Sequence, residues 1–104
     1  MLCAASTSVA ASLTGNSYMS LDVSSKGWYV VGALDSMKRV YSGMENEPQE
    51  YADFWTRCVS GRTIREHVLG FDQWLAQNPS RVSESAIDLL FEAIAGACEN
   101  EERG

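Results

Sequence analysis

The amino-acid sequence predicts an all-α domain with a compact bundle of three main helices and shorter helical pieces. Three apolar stripes have the three- and four-residue offsets of helix faces, and no stretch alternates as a β-strand does. The chain has 104 residues, 45 % of them hydrophobic, which suits one domain with one core. We expect this domain at residues 14–100 and a disordered tail at 101–104.

The first thirteen residues are uncharged and rich in small side chains. They are similar to the end of a secretory signal with its cleavage region, although the positive region that begins such a signal is missing. A disordered terminus rich in serine and alanine explains the same composition. We therefore expect residues 1–13 to be a signal-peptide remnant or a disordered N-terminus.

The first main helix is predicted from Val30 onwards, and glycine at position 43 is expected to end it. Gly32 lies inside this helix, where glycine costs about 1 kcal/mol relative to alanine. We expect a neighbouring element to approach closely there, or else a frayed first turn. The apolar stripe consists of Val30, Leu34, Met37, Tyr41 and Met44.

An acidic connection with one short helix is expected over residues 42–58, because Pro48 tolerates only a first turn or a loop. Its three aromatic residues are too large to be left in water together, so we expect them to cover an edge of the core. They are Tyr51, Phe54 and Trp55.

The second helix is predicted to start at Thr63, which has capping-box spacing to Glu66, and to end before Asn78 and Pro79. The third is capped by Ser83 or Ser85 and ends near Cys98, which faces the core. The second stripe is Ile64, Val68, Phe71 and Leu75, with Trp74 beside it. The third is Ile87, Leu90, Phe91, Ile94 and Cys98.

Eight basic and fourteen acidic residues give a formal net charge of -6, the wrong sign for a nucleic acid or an anionic membrane surface. No apolar run approaches the roughly 18 residues of a membrane span. We expect neither a nucleic-acid nor a membrane partner. The acidity either keeps the domain soluble or steers it towards a basic partner.

A catalytic pair of His67 with Cys58 or Cys98 is disfavoured, because Glu66 and Asp72 lie one and five residues from the histidine. No CxxC, HExxH or GxSxG motif is present, and one histidine without closely spaced cysteines is a poor zinc site. We expect no enzyme, no cofactor and no metal, with His67 on the surface or at the core edge.

Cys58 precedes the second helix and Cys98 ends the third. If these helices pack antiparallel across the turn at Pro79, the two sulfurs are neighbours. Spacing alone leaves a disulfide and two buried thiols equally open, and an oxidising compartment would favour the disulfide.

Four features follow one another along the chain: TGNSYMSLDVSSKGWYVVGALDS at 14–36, Cys58 ahead of a threonine-capped helix, WLAQNP at 74–79, and SAIDLLFEAIAGAC at 85–98. Together they resemble the Rap/Tai immunity proteins, small periplasmic helical proteins of Gram-negative bacteria that neutralise peptidoglycan amidases delivered by type VI secretion. The matched positions are Gly15, Asn16, Tyr29, Gly32, Asp35, Cys58, Thr63, Leu75, Pro79, Ala86, Leu90, Ala93 and Cys98.

Relatives in that family often carry two earlier cysteines, and both are absent here. The loss of one complete disulfide explains this, so the resemblance implies that Cys58 pairs with Cys98. It also implies a periplasmic, non-catalytic homodimer that occupies the groove of a papain-type amidase.

The polar turn after the second helix is our first choice for groove contacts, because a proline-stiffened loop loses little entropy on binding; a plain connecting turn is the alternative. Its residues are Gln77, Asn78, Ser80, Arg81 and Ser83. The acidic connection is the second choice, through Glu45, Glu47, Glu50 and Asp53. Trp28 and Trp55 are the candidate dimer contacts.

A periplasmic acid-stress chaperone of the HdeA type is the alternative function, since fourteen acids could supply a protonation switch. A small enzyme that uses Cys58 or Cys98 is a third, and it requires a reactive thiol.

Overall fold

The structure, a computed structural model, describes residues 13–42 and 49–103. This part of the chain is helical and has no β-structure beyond one isolated bridge between Thr14 and Ser85, which confirms the predicted all-α class. Its α-helices are α1 (Gly15–Met19), α2 (Val23–Ser42), α3 (Gln49–Phe54), α4 (Ile64–Gln77) and α5 (Ala86–Arg103). A π-helical turn (Trp55–Val59) follows α3, and a 3₁₀ turn (Pro79–Arg81) follows α4.

Helix α2 begins seven residues earlier than the apolar stripe predicted. Asp22 starts it, because its Oδ1 accepts a hydrogen bond of 2.7 Å from the Ser25 N–H and its carbonyl accepts one of 2.9 Å from the Lys26 N–H. No apolar side chain of the first turn is buried, and Val23 is 82 % exposed. The expected start at Val30 is therefore wrong, because the polar cap at Asp22, and not the apolar stripe, determines where the helix begins.

Gly32 is exposed, and a Cβ added to it would meet nothing within 4 Å. The close approach of a neighbouring element that we expected at this glycine is absent. The short helix expected in the connection is present as α3. Phe54 and Trp55 pack against the core as predicted. The structure does not describe the side chain of Tyr51.

Helix α4 has the predicted boundaries. The Thr63 hydroxyl accepts from the Glu66 N–H at 3.1 Å, and the Glu66 carboxylate accepts from the Thr63 N–H at 2.8 Å, so the capping box is complete. At the other end, the Asn78 side-chain amide donates to the Trp74 carbonyl at 2.8 Å. Helix α5 begins at Ala86, directly after the predicted cap Ser85.

The core is centred on Tyr18, which α1 inserts between the longer helices with no exposed surface. Its ring centre lies 4.8 Å from that of Phe71 and 5.6 Å from that of Tyr29. Burial and the nearby Asp72 carboxylate raise the pKa of the Tyr18 phenol, so it stays neutral. The other fully buried large side chains are Phe71, Val30, Leu75, Leu89 and Leu90.

Cys58 and Cys98 form a disulfide, with their Cα atoms 5.4 Å apart. Both residues are buried, at 2 % and 6 % exposure. Because Cys58 precedes α4 and Cys98 lies in the second half of α5, the bond joins the ends of these helices that are remote from their connecting turn. The predicted pairing is confirmed.

The two ends of the described chain differ from the expected boundaries. Leu13 packs against the core, and its carbonyl accepts a hydrogen bond of 2.8 Å from the Ala86 N–H. Helix α5 continues to Arg103, three residues into the expected tail. Residues 1–12, and with them Cys3, lie outside the described residues. Over the described ranges, no helix has the length and apolar character needed to cross a membrane.

Removing the disulfide with a Cys58→Ser, Cys98→Ser double substitution is expected to lower the free energy of unfolding by about 4 kcal/mol. The bond closes a loop with a sequence separation of 40 residues, and its loss frees the unfolded chain. Guanidinium unfolding with and without a reductant measures the free energy of unfolding of the parent and the variant. Cys3→Ser is the control: it keeps the disulfide, so a reductant should still lower its stability. Equal stability of the oxidised and reduced chains would contradict the expectation.

Gly15→Ala is expected to lower the free energy of unfolding by about 1–2 kcal/mol. The added Cβ would lie 3.0 Å from a methyl of Leu89, 3.1 Å from one of Leu75 and 3.2 Å from the Val82 carbonyl. Gly32→Ala is the control and should stabilise by about 0.5–1 kcal/mol, because its site is open and helical. Urea unfolding compares the two, and similar effects of both would disprove the crowding at Gly15.

Candidate functional site

Residues 78–85, here called the α4–α5 loop, present the neutral polar side chains that the sequence singled out. Ser80 and Ser83 are exposed, as is Gln77 in the last turn of α4. Within the part of the chain that the structure describes, these three side chains make no hydrogen bond. They are therefore available to a partner.

Arg81 is engaged within the protein. Its Nε and Nη2 each donate to a Glu84 carboxylate oxygen at 2.9 Å, and its Nη2 donates to Glu92 at 3.2 Å, where Nη1 also bonds. The guanidinium carbon lies 5.5 Å from the centre of the Trp74 ring. Arg81 thus links the α4–α5 loop to both helices that the loop connects.

Two of the residues expected to contact a partner make hydrogen bonds within the protein. Arg81 and Asn78 were both predicted to insert into a partner groove, but their polar groups bond to Glu84, Glu92 and the Trp74 carbonyl. The hydrogen bonds from Arg81 hold the pKa of Glu84 below its ordinary value. Both residues shape the loop, and the exposed neutral side chains of the predicted set are Gln77, Ser80 and Ser83.

Helix α1 also fastens the loop, through two backbone hydrogen bonds. The Asn16 N–H donates to the Val82 carbonyl at 2.8 Å, and the Gly15 N–H donates to the Glu84 carbonyl at 3.1 Å. Asn16 is itself exposed beside the loop. Asn16 is not among the site residues predicted from the sequence, although the cap formed by the Thr14 hydroxyl and the Ser17 N–H is a local signal for α1.

The acidic connection remains a prediction. Glu45 and Glu47 lie outside the described residues, as does the side chain of Glu50. Asp53 is exposed on α3. The structure of the acidic connection therefore has no bearing on whether the α4–α5 loop is the site.

The two candidate dimer contacts differ in exposure. Trp28 is 76 % exposed on α2, next to an open groove of about 370 Å³ whose lining includes Gly32, Ser36 and Ile87. Trp55 packs against the core, and the Lys38 ammonium lies 5.7 Å from the centre of its ring. Of these two tryptophans, Trp28 is the exposed one, and its role as a dimer contact stays a prediction.

A second groove, of about 500 Å³, lies between the first turns of α2 and α4. Its walls include the exposed apolar side chains of Val23 and Leu69. At one end, Lys26 Nζ lies 3.2 Å from Asp72 Oδ1 in an ion pair. The groove thus combines exposed apolar side chains with this ion pair and with the charged side chain of Arg65.

His67 is buried, with 5 % of its surface exposed, so its expected place at the surface or core edge is wrong. Its Nε2 lies 3.0 Å from the Val59 carbonyl, which can only accept, so this ring nitrogen carries a proton. His67 thereby ties α4 to the turn that holds Cys58. Cys58 and Cys98 carry no free thiol while they are joined. The described residues bring together no group of three potential metal-ligating side chains.

Comparison of the chain with protein-family models, with curated proteins and with solved structures gave no significant match. The resemblance to the Rap/Tai proteins therefore depends on the residues set out above.

Acid is expected to lower the free energy of unfolding as the pH falls below the ordinary glutamate pKa of 4.5. Hydrogen bonds lower the folded-state pKa of Glu84, Glu66 and Asp22, from Arg81 in the first case and from backbone N–H groups in the others. A lowered pKa contributes stability above the ordinary value, which is lost as the pH falls through the lowered one. Urea unfolding at a series of pH values measures this.

Glu84→Gln is the matched variant for that titration. It should be less stable than the parent at neutral pH and should lose less on acidification, because one of the perturbed carboxylates is gone. A pH dependence as steep as that of the parent would exclude Glu84 as a contributor.

Proposed function

We propose that the protein is an immunity protein that binds a peptidoglycan amidase of type VI secretion and blocks its substrate groove. One observation carries the proposal: the exposed polar α4–α5 loop is fastened to α1, α4 and α5, at the end of the helical hairpin remote from the disulfide. A loop of this kind fits the open cleft of a papain-type enzyme. The resemblance described above supplies the enzyme class.

Rigidity supports an inhibitory role for the loop. Ordering a mobile segment on binding costs free energy, and a loop that is already ordered avoids much of that cost. Pro79 restricts the loop backbone. The Asn78 side chain donates to the Trp74 carbonyl and so fixes the start of the loop on the end of α4. The interface backbone of inhibitors that bind enzyme clefts usually changes little on binding.

The proposed contacts with the amidase are the side chains of Gln77, Ser80 and Ser83. Amide and hydroxyl groups can donate and accept, so they suit a cleft lined by polar catalytic groups and substrate-binding backbone. Asn78 and Arg81 contribute by holding the loop. The acidic connection, with Glu45, Glu47, Glu50 and Asp53, supplies electrostatic steering in this proposal.

Two further parts of the proposal concern the setting. A structural disulfide suits an oxidising compartment such as the bacterial periplasm, where an amidase would reach peptidoglycan. Trp28, exposed on α2 beside a groove, is the proposed contact between two copies of the chain. The inhibitor acts by obstruction in this proposal and performs no chemistry itself.

Purified type VI amidases of the papain type provide the test. One of them should lose activity on peptidoglycan at a one-to-one ratio, and Ser80→Arg should weaken the binding measured by calorimetry at least roughly tenfold, because a bulky cation blocks insertion of the loop. Ser24→Arg, at an exposed position on α2, is the control and should bind normally. Full inhibition of the amidase by the Ser80→Arg variant would exclude the loop as the part that blocks the groove.

The alternative, an acid-stress chaperone of the HdeA type, is favoured by a different observation. Val23 and Leu69 expose apolar surface beside one groove, and several carboxylates have pKa values lowered by bonds that acid would break. Such a protein would suppress aggregation of unfolded clients in acid, below about pH 3. Client aggregation measured by light scattering with and without the protein decides between the two functions. Tight pairing with an amidase and no protection in acid would exclude the chaperone.

A further inference from the structure

The neutral polar groups around the α4–α5 loop belong to two separate parts of the chain. Asn16 comes from α1, and Gln77, Ser80 and Ser83 come from the end of α4 and the loop. Two backbone hydrogen bonds join the parts, since the Gly15 and Asn16 N–H groups donate to the Glu84 and Val82 carbonyls. Residues 15 and 16 are therefore neighbours of residues 82–84, and the side chains of Asn16 and Ser83 at this junction are exposed.

The charged groups beside this surface are paired with one another. Arg81 bonds to Glu84 through both Nε and Nη2 and to Glu92 through both Nη atoms. A fork of this kind fixes direction as well as distance, because the guanidinium is planar and two parallel bonds define its orientation. Trp74 limits its movement on one face.

Arg81 contacts both flanking helices, α4 through the ring of Trp74 and α5 through the carboxylate of Glu92. Glu92 lies one turn and a half into α5, and Trp74 lies in the last turn of α4. Arg81 bonds to the Glu84 side chain, and the Glu84 carbonyl accepts the hydrogen bond from the Gly15 N–H. Fixing Glu84 thus fixes the point where α1 joins the loop.

We propose that Arg81 is the positioning residue of a two-part docking surface, in which Asn16 on α1, Gln77 at the end of α4 and the loop side chains of Ser80 and Ser83 are presented together to a polar groove of a partner protein. Arg81 itself makes no contact with the partner. The identity of the partner rests on the proposed function, whereas the positioning role can be measured in the protein alone.

Amide hydrogen exchange in the free protein tests the positioning. Arg81→Ala should raise the exchange rates of the Asn16 and Glu84 amides by roughly three- to tenfold, the range that loss of a charge-assisted fork predicts. The Leu90 amide, in the core, should be unchanged. Arg39→Ala is the control, because Arg39 forms an exposed ion pair with Asp35 on α2, away from the loop.

Glu92→Gln is a milder second variant, since it weakens only the tie to α5 and leaves the contact between Arg81 and Glu84 in place. It should raise the same two exchange rates by a smaller factor. The proposal is overturned if loop exchange is unchanged in both variants. It is equally overturned if the Leu90 amide accelerates in parallel, because Arg81 would then support overall stability and not the loop.

Binding kinetics separate positioning from contact. With an amidase that the chain inhibits, Arg81→Ala should mainly slow association, because only the fraction of molecules with an ordered loop is competent. Ser80→Arg should mainly accelerate dissociation, since it acts in the bound complex. An Arg81→Ala variant with normal association and faster dissociation would make Arg81 a contact. If no amidase binds, the proposed function fails, and the exchange measurement still decides the role of Arg81.

Discussion

The covalent bond between Cys58 and Cys98 is the constraint on which the arrangement of this small domain depends. It holds the far ends of α4 and α5 together, so the two helices form an antiparallel hairpin closed at both ends: by the disulfide at one and by the bonded loop at the other. A domain of about 100 residues buries only a moderate share of its chain surface, and a cross-link that restricts the unfolded ensemble is correspondingly valuable. His67 strengthens the same end, because it bonds to the carbonyl of the residue that follows Cys58.

The remaining elements are arranged on this hairpin. Helix α1 is only five residues long, too short to be stable alone, and it is held by Tyr18 in the core and by backbone bonds to residues 82 and 84. Helix α2 contributes an apolar face that includes Val30 and Leu34, while its outer face carries Trp28. The polar surface of the loop is therefore positioned by the whole fold, although few residues form it.

Local signals explain which features could be read from the sequence. The apolar stripes of α4 and α5, the Thr63 capping box and the stop at Pro79 each involve residues within a few positions of one another, and all are present. The start of α2 was missed because a polar cap at Asp22 precedes the stripe. The bond that His67 makes to Val59 and the bond that Arg81 makes to Glu92 join residues 8 and 11 positions apart. Such contacts exist only once the helices have packed, and a residue pattern does not reveal whether a charged side chain faces a partner or its own fold.

The placement of the tryptophans gives the protein built-in fluorophores with different surroundings. The indole of Trp28 is largely surrounded by water, that of Trp55 packs against the core, and that of Trp74 lies beneath the Arg81 guanidinium. Indole emission shifts to longer wavelength as water reaches the ring. Opening of the loop would change the fluorescence emission of Trp74, and association of two copies would change that of Trp28. Variants that keep a single tryptophan would therefore report the two events separately, without an added dye.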